Sequence, residues 1–373
     1  MATERAYWLA WSQIAGIGPI LIKRLQQHFG TLAIAWEADY PELMAVEGFG
    51  PQMLQVVLWE RVQIEPEAFL ETHEKANPCF WTPADADYPR LLREIPNPPS
   101  VLYCRGQVDL GEHQGTTPTI AIVGTRDPSE YGRKWTRKLT TALVKYGFTI
   151  VSGLADGIDT EAHTSCLEAG GRTLAILGTG VDVVYPWRNR ALCDRILQQG
   201  AVLSEYPAGT KPDRTHFPQR NRIIAGLSRA TIVMEAPAKS GALITAYVAN
   251  EYNRDVYVVP GSLDNERSIG CLGLISKGAQ VILGEDHLLE MLQVMPQLRL
   301  VEPLFDESHR SGIIQGLEPE LQQVITIITM ESISFDAIVQ HTHLPAAAVS
   351  SALLQLELLG LVTQLPGMRY QRC

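Results

Sequence analysis

The sequence has few cysteines, six in 373 residues, and no two of them stand in a C-x-x-C spacing. Closely spaced cysteine pairs are the usual signature of zinc sites and thiol redox centres, and dense cysteine frameworks mark small disulfide-bonded domains. We therefore expect no metal site, no disulfides and a reducing compartment. The six residues are Cys79, Cys104, Cys166, Cys193, Cys271 and Cys373.

The sequence also lacks long uncharged apolar runs. No stretch approaches the ~18 apolar residues that a membrane helix requires. The first residues, MATERAYWLAWSQ, include Glu4 and Arg5 and show no apolar segment followed by a cleavage site. Secretory signal peptides need both features. The expectation is a cytoplasmic protein without a membrane partner.

Positive charge is scarce overall, with 31 Lys and Arg against 41 Asp and Glu and a formal net charge of −10. Binding to nucleic acid requires cations near the phosphates, so the total alone argues against such a partner. The distribution matters more than the total. Residues 301–373 contain more acids than bases, whereas the bases cluster in 121–138 and 211–229, as Arg126, Arg133, Lys134, Arg137, Lys138, Lys211, Arg214, Arg220, Arg222 and Arg229.

Two segments near the start of the chain, residues 14–30 and 46–58, share the pattern apolar-x-Gly-apolar-Gly-Pro. Glycine permits the tight turn and proline suits the first helical position, so each segment predicts a turn followed by an amphipathic helix. Residues 1–75 are therefore expected to form a helix-hairpin-helix (SAM-like) domain whose turn amides face a phosphate. A helical bundle with purely structural turns remains an equal alternative, because few Lys or Arg lie near either turn.

Residues 76–293 are predicted to form an α/β domain. Seven short apolar runs alternate with helix-length segments: TIAIVG, FTIVSG, TLAILG, AVLSEY, ATIVMEA, DVYVVPG and QVILG. Fully apolar strands alternating with helices are typical of a mostly parallel sheet covered on both faces, an extended Rossmann-like, doubly wound fold. In such folds ligands bind beyond the carboxyl ends of the strands. The Pro-rich residues 77–100 are expected to be a connector.

The end of the chain predicts a linker over residues 294–316 and a small domain over 317–373. Three helix-length segments precede a hairpin turning at Pro366–Gly367. Three helices followed by a wing are typical of a winged-helix domain.

The predicted strand ends carry the candidate site. Glycines there allow a phosphate to approach the backbone, arginines match phosphate oxygens, and an exposed aromatic ring stacks on any base. Cations beside an aromatic ring favour single-stranded DNA over duplex. The candidate DNA-binding residues are Gly124, Thr125, Arg126, Ser152, Gly153, Arg214, Phe217, Arg220, Asn221 and Arg222.

Several of these residues have a structural alternative. Phe217 is either a core residue or, given its charged neighbours, a residue of an exposed loop. Arg220 and Arg222 are two apart and do not share one helix face, so at least one is expected to pair with an acid. His163 is interpreted as structural, and Asp156 and Asp159 as helix caps.

No catalytic constellation or cofactor motif is recognisable in the sequence. A P-loop would read G-x-x-x-x-G-K-[ST], which does not occur. The G-x-G of Gly178–Gly180 lacks the third glycine of the dinucleotide fingerprint. We expect a protein that is not an enzyme and has no cofactor.

The segments IVGTR, VSGLADGIDTEAH, HFPQRNRIIAGLS, VMEAPAKSGALITA and VVPGS with GCLGLISKGA resemble the conserved blocks of the DprA/Smf family, in the same order. The resemblance implies a dimer formed through the Rossmann-like domain. It also implies sequence-independent binding of single-stranded DNA, protection of that DNA, and loading of the RecA recombinase during natural transformation. By motif, Arg126 would hold phosphate, Arg214 would add charge and Phe217 would stack on a base. Gly124, Thr125, Ser152 and Gly153 would supply donors.

One block departs from the family, because Leu272 stands where an asparagine is usual. A second function is left open: SGALITA and the V-P-G-S turn are similar to nucleoside-monophosphate phosphoribohydrolases, in which Glu235 and Arg126 would act on the nucleotide. The P-G-G-x-G-T-x-x-E signature of those enzymes is absent. A pure protein-interaction role is a third alternative, and the arginines at the strand ends argue against it.

Overall fold

The computed structural model describes residues 3–293, 319–328, 333–342, 344–358, 362–365 and 369–372. The chain divides into two compact units, Met1–Leu300 and Val301–Cys373. The predicted linker over 294–316 and the predicted turn at Pro366–Gly367 lie outside the described residues. Within the described part, no helix has the length and apolar character needed to cross a bilayer.

The first unit begins with helices that form around buried tryptophans. Trp8, Trp11 and Trp36 are almost fully buried, and the rings of Trp11 and Trp36 meet edge to face at 5.1 Å. The helices are α1 (Glu4–Gln13), α2 (Pro19–Phe29), α3 (Leu32–Glu37), α4 (Tyr40–Met44), α5 (Pro51–Arg61) and α6 (Pro66–Ala76).

Both predicted Gly-Pro helix starts are confirmed. Helix α2 begins at Pro19 and α5 at Pro51, each directly after a glycine. The preceding turns require glycine, since Gly16 has φ of +81° and Gly48 of +94°. Helices α1 and α6 also bury Leu9 and Leu70 in a core shared with the following strands. The division of the chain at residue 75 therefore stays a prediction.

The rest of the first unit is a nine-stranded sheet, counted over the described residues, in the order β1-β2-β6-β5-β4-β3-β7-β8-β9. Strands β3 to β9 coincide with the seven predicted apolar runs and pair in parallel. The strands are β1 (Phe80–Trp81), β2 (Leu102–Gly106), β3 (Thr119–Val123), β4 (Thr149–Ser152), β5 (Thr173–Leu177), β6 (Ala201–Ser204), β7 (Ala230–Val233), β8 (Asp255–Val258) and β9 (Gln280–Val281). The predicted doubly wound, mostly parallel sheet is confirmed.

The sheet also contains two strands, β1 and β2, that the sequence did not predict. Strands β1 and β2 run antiparallel to each other, and β2 runs antiparallel to β6, so they extend one side of the sheet. The segment expected to be only a connector thus contains β1 and a short helix, α7 (Arg90–Glu94).

Both faces of the sheet are covered, which explains the uniformly apolar strands. On β3, Ala121 and Val123 belong to one core, while Ile120 and Ile122 belong to the core on the other face. The covering helices are α8 (Leu110–Gln114), α9 (Glu130–Lys145), α10 (Ile158–Glu168), α11 (Arg190–Gln199), α12 (His216–Leu227), α13 (Gly241–Glu251), α14 (Ile269–Ile275) and α15 (Glu285–Gln293), with 3-10 turns at Trp187–Asn189 and Glu266–Ser268.

The second unit has the predicted winged-helix arrangement. Its helices are Pro319–Ile327, Phe335–Thr342 and Ala346–Leu358, and its strands are Ile333–Ser334, Val362–Leu365 and Arg369–Arg372. The strand Arg369–Arg372 lies between the other two and pairs antiparallel with both. The core of this unit contains Val324, Ile338, Leu353 and Val362.

Candidate nucleic-acid interface

The carboxyl ends of β3 to β7 lie along one edge of the sheet, because these strands are parallel. The chain runs outward from β3 through β4 and β5 to β6 and then returns to place β7 on the other side of β3. Such a reversal of strand order leaves a crevice where doubly wound folds bind ligands. We call this the carboxyl edge.

The loop after β3 presents Arg126 to solvent at the carboxyl edge. Thr125 is buried, and its amide donates to the Glu235 carbonyl at 2.7 Å. Gly124 allows close packing, since a Cβ atom there would lie 2.5 Å from Ile158 Cγ1. Gly124 and Thr125 thus fix the loop, and Arg126 is the side chain left free to reach a ligand.

Phe217 lies in the first turn of α12, not in a loop as expected. Its half-buried ring packs against Gly178, directly after β5. The glycine permits this contact, because a Cβ atom at residue 178 would lie only 3.0 Å from Phe217 Cδ1. Arg214 is exposed just before the helix. Asn221 is half-buried, and its side-chain amide donates to the Gly241 carbonyl at 3.2 Å. The start of α12 therefore carries a cation and an aromatic ring on the carboxyl edge.

Arg220 and Arg222 do not add charge to this edge, which corrects the expectation drawn from the sequence. Arg220 is 4% exposed and donates through Nη1 to the carbonyls of Gly153 and Ile176. Arg222 donates to Glu205 Oε2 at 2.6 Å in a largely buried ion pair. Both guanidinium groups are thus held by partners inside the protein, as the alternative of structural pairing anticipated for at least one of them.

Ser152 and Gly153 are also buried, and their donors are already used. The Ser152 hydroxyl donates to the Ile122 carbonyl at 2.6 Å, and the Gly153 amide donates to Asp159 Oδ2 at 3.1 Å. The expected hydroxyl and amide contacts to phosphate are not available from these two residues in this structure.

The interpretation of Asp156 and Asp159 as helix caps was wrong. The N-cap of α10 is Gly157, and no side chain caps the helix. Asp159 instead folds back to accept from the amides of Gly153 and Ala155, while Asp156 pairs with Arg188.

His163 occupies a structural position. It is fully buried on α10, and Nδ1 lies 2.7 Å from Thr173 Oγ1. The Thr173 hydroxyl donates to the Ile150 carbonyl, so Nδ1 of His163 donates to the hydroxyl oxygen. Burial, with a smaller contribution from the nearby Arg220, lowers the pKa of His163 to about 3. The ring is neutral at physiological pH.

Glu235 is poorly placed for the alternative hydrolase chemistry. It is 1% exposed, and its carboxylate accepts from the Ser129 amide at 2.8 Å and the Ser129 hydroxyl at 2.5 Å. Asn265 contacts the same carboxylate at 3.4 Å. The carboxylate links the loop before α9 to the loop after β8 and does not face solvent.

Two exposed aromatic residues at this edge were not predicted from the sequence. Tyr185 and Trp187 follow β5, and the Tyr185 ring lies 5.4 Å from the ring of Phe217. The only sequence signal is the cluster YPWRNR, which brings two aromatic and two basic residues together at the start of α11.

Comparison with known proteins identifies the family. The model of DNA recombination-mediator protein A matches residues 79–293, and that of the DprA winged helix domain matches 311–368. Protein Smf from Synechocystis is 51% identical over 99% of both chains.

Two solved structures of such proteins have the same fold. The X-ray structure of DNA processing protein A from Streptococcus pneumoniae has a TM-score of 0.67 and 36% identity, covering 78% of this chain and 98% of its own. The protein from Helicobacter pylori, whose structure concerns its single-stranded DNA binding mode, has a TM-score of 0.52 and 33% identity, covering 57% and 95%. The chain belongs to the DNA recombination-mediator protein A (DprA/Smf) family.

Proposed function

We propose that this protein is a non-catalytic, sequence-independent binder of single-stranded DNA and that the strand lies along the carboxyl edge. One observation carries the proposal: the exposed cations Arg126 and Arg214 share that edge with the ring of Phe217, which Gly178 allows to pack there. The H. pylori relative, with 33% identity, has a single-stranded DNA binding mode.

The chemistry of the edge fits this ligand. Arginine forks match phosphate oxygens, and the start of α12 adds a partial positive charge from the helix dipole. An aromatic face stacks on every base, so binding does not require a particular sequence. The proposed contact residues are Arg126, Arg214, Phe217 and Asn221, with Gly124 and Thr125 holding the loop. Ser152, Gly153, Arg220 and Arg222 are left out because they are largely buried and their polar groups bond inside the protein. Asn221 stays, because it is only half-buried and its bond to the Gly241 carbonyl lies at the surface.

The net charge of −10 does not oppose binding at this edge. Screening limits charge interactions to about 8 Å at physiological ionic strength, so the charges close to the site matter more than the net charge of the whole protein. At the site Arg126 and Arg214 are exposed, while the neighbouring acid Asp127 pairs with Arg267 and Asp213 accepts from the Thr215 amide.

The wider role follows from the family. We propose that the protein acts in the cytoplasm as a homodimer formed through the sheet domain. In this role it protects incoming DNA and loads the RecA recombinase during natural transformation. The support is the family's description as a recombination mediator and the relatives' description as DNA processing proteins.

The decisive experiment is a gel-shift competition with the full chain. A labelled single-stranded oligonucleotide is challenged with unlabelled single strand or blunt duplex at two salt concentrations. We expect the single strand to compete far better and the affinity to fall as salt rises. Equal competition by duplex contradicts the proposal, and release of free base from nucleoside monophosphates would support the hydrolase instead.

A further inference from the structure

A second aromatic surface continues the carboxyl edge beyond Phe217. Trp187 is 69% exposed and Tyr185 is 45% exposed, which is unusual for such large rings. The Tyr185 ring lies 5.4 Å from that of Phe217 with an interplanar angle of 33°, and Trp187 follows Tyr185 by two residues. Two residues span at most ~7 Å of chain. Trp187 therefore belongs to the same short exposed segment as Tyr185, whose ring lies beside Phe217.

The segment carrying Trp187 is held firmly although the ring is exposed. Asn189 is buried, and its side-chain amide donates to the Leu154 carbonyl and to Thr160 Oγ1, both at 2.9 Å. These bonds attach the 3-10 turn Trp187–Asn189 to the loop after β4 and to the start of α10. A ring held in place before binding loses little conformational freedom when a ligand stacks on it.

The charges near Trp187 suit a polyanion. The Arg190 guanidinium lies 4.7 Å from the Trp187 ring centre, which orients the ring and covers one of its two faces. Arg188 pairs with Asp156 but keeps 71% of its side chain exposed. Asp182 is also exposed nearby, and it accepts from the Gly209 amide at 2.8 Å. Two cations thus accompany the free aromatic face.

We infer that Trp187 is a second base-stacking platform and that bound single-stranded DNA runs from Phe217 past Tyr185 to Trp187. This inference rests on the proposed function. In this arrangement one base stacks on the uncovered face of Trp187, while Arg188 and Arg190 face the neighbouring phosphates. Strands too short to reach beyond Phe217 do not use this platform.

The test compares the wild-type chain with Trp187→Ala and Trp187→Phe by fluorescence anisotropy of labelled oligothymidylates. One oligonucleotide has about 4 nucleotides and the other about 16, the range of common single-strand site sizes. For the longer strand, Trp187→Ala is expected to weaken binding about 5- to 150-fold, since stacking contributes ~1–3 kcal/mol per base. The salt dependence stays unchanged, and Trp187→Phe retains most of the affinity.

The matched control is Tyr146→Ala. Tyr146 is 58% exposed and precedes β4, so it lies at the opposite edge of the sheet. Tyr146→Ala is expected to leave the affinities for the shorter and the longer oligonucleotide unchanged. Circular dichroism checks that every variant is folded.

The outcomes separate the two claims. If the wild type binds both strands and Trp187→Ala binds the longer one equally well, the platform is overturned while the proposed function stands. That result would fit a protein-binding surface. If the wild type binds neither strand, the proposed function itself fails and the platform fails with it.

Discussion

The side chains of Arg220 and Asp159 converge on Gly153, where a Cβ atom would lie 2.7 Å from Asp159 Oδ2 and 2.8 Å from Arg220 Nη2. Burial raises the pKa of Asp159 and lowers the pKa of Arg220, and the charge of each opposes the shift of the other. The two groups join α10 and α12 to the loop after β4. They hold the helix that carries Phe217 in place beneath the carboxyl edge.

Arg220→Ala is expected to destabilise the protein strongly. It leaves the carbonyls of Gly153 and Ile176 without a donor and Asp159 without its compensating charge. Removing one partner of a buried charged group costs about 3–5 kcal/mol. Thermal unfolding followed by circular dichroism measures the effect. Arg126→Ala, at an exposed arginine, should change stability by no more than about 0.5 kcal/mol. Equal stability of the two variants would refute the structural role of Arg220.

Arg126→Ala is expected to weaken binding to all single-stranded sequences alike. Losing one phosphate contact should flatten the dependence of log affinity on log salt by about one unit. Titrations of one oligonucleotide at several salt concentrations give this slope. Arg105→Ala is the matched control, because Arg105 is exposed on β2 and pairs with the beginning of β6, at the opposite edge. An unchanged slope for Arg126→Ala means that this side chain does not contact phosphate.

Phe217→Ala is expected to cost ~1–3 kcal/mol of binding free energy, since a stacking surface is lost without any change of charge. The salt slope should therefore stay close to that of the wild type. The same titrations measure both quantities. If Phe217→Ala and Arg126→Ala both bind like the wild type, the carboxyl edge is not the DNA site.

The buried His163 is expected to make the protein less stable as the pH decreases. Its pKa in the folded protein is about 3, below the unfolded value of ~6.5, so protons bind the unfolded chain first as pH falls. Its contribution is complete above pH ~6.5 and decreases by about 1.4 kcal/mol per pH unit towards pH 3. His163→Asn keeps a donor towards Thr173 but does not titrate. Urea midpoints between pH 7.5 and 5.5 should fall less in this variant, and parallel curves would contradict the assignment.

A chain ending at Gln293 is expected to keep most of its affinity for a long single strand. The winged-helix residues 317–373 carry only Arg369 and Arg372 against five acids, so they gain little electrostatically beside a polyanion. Titration of both chains with one oligonucleotide at matched ionic strength is the measurement. A loss beyond about tenfold, ~1.4 kcal/mol, in a folded truncated protein would show that the second unit is part of the DNA site.

Local sequence patterns were sufficient to predict the strands and helix starts that depend on residues close together in the chain. The seven apolar runs became β3 to β9, because a strand buried on both faces must be apolar throughout. The Gly-Pro steps became the starts of α2 and α5. Arg126 was placed at the carboxyl edge because it directly follows a parallel strand. Strand β1 escaped prediction because it spans only two residues, and β2 because its apolar run is only three residues long before the exposed Arg105 and Gly106.

The sequence by itself determined the fold class, the family blocks and the presence of arginines near strand ends. Only the tertiary structure decided which arginines remain exposed. Arg220 bonds to Gly153, 67 positions away, and Arg222 bonds to Glu205, 17 positions away. The ring contact of Phe217 likewise depends on Tyr185, 32 residues earlier in the chain. Burial and pairing depend on contacts between distant segments, and a residue's type and its immediate neighbours do not specify those contacts.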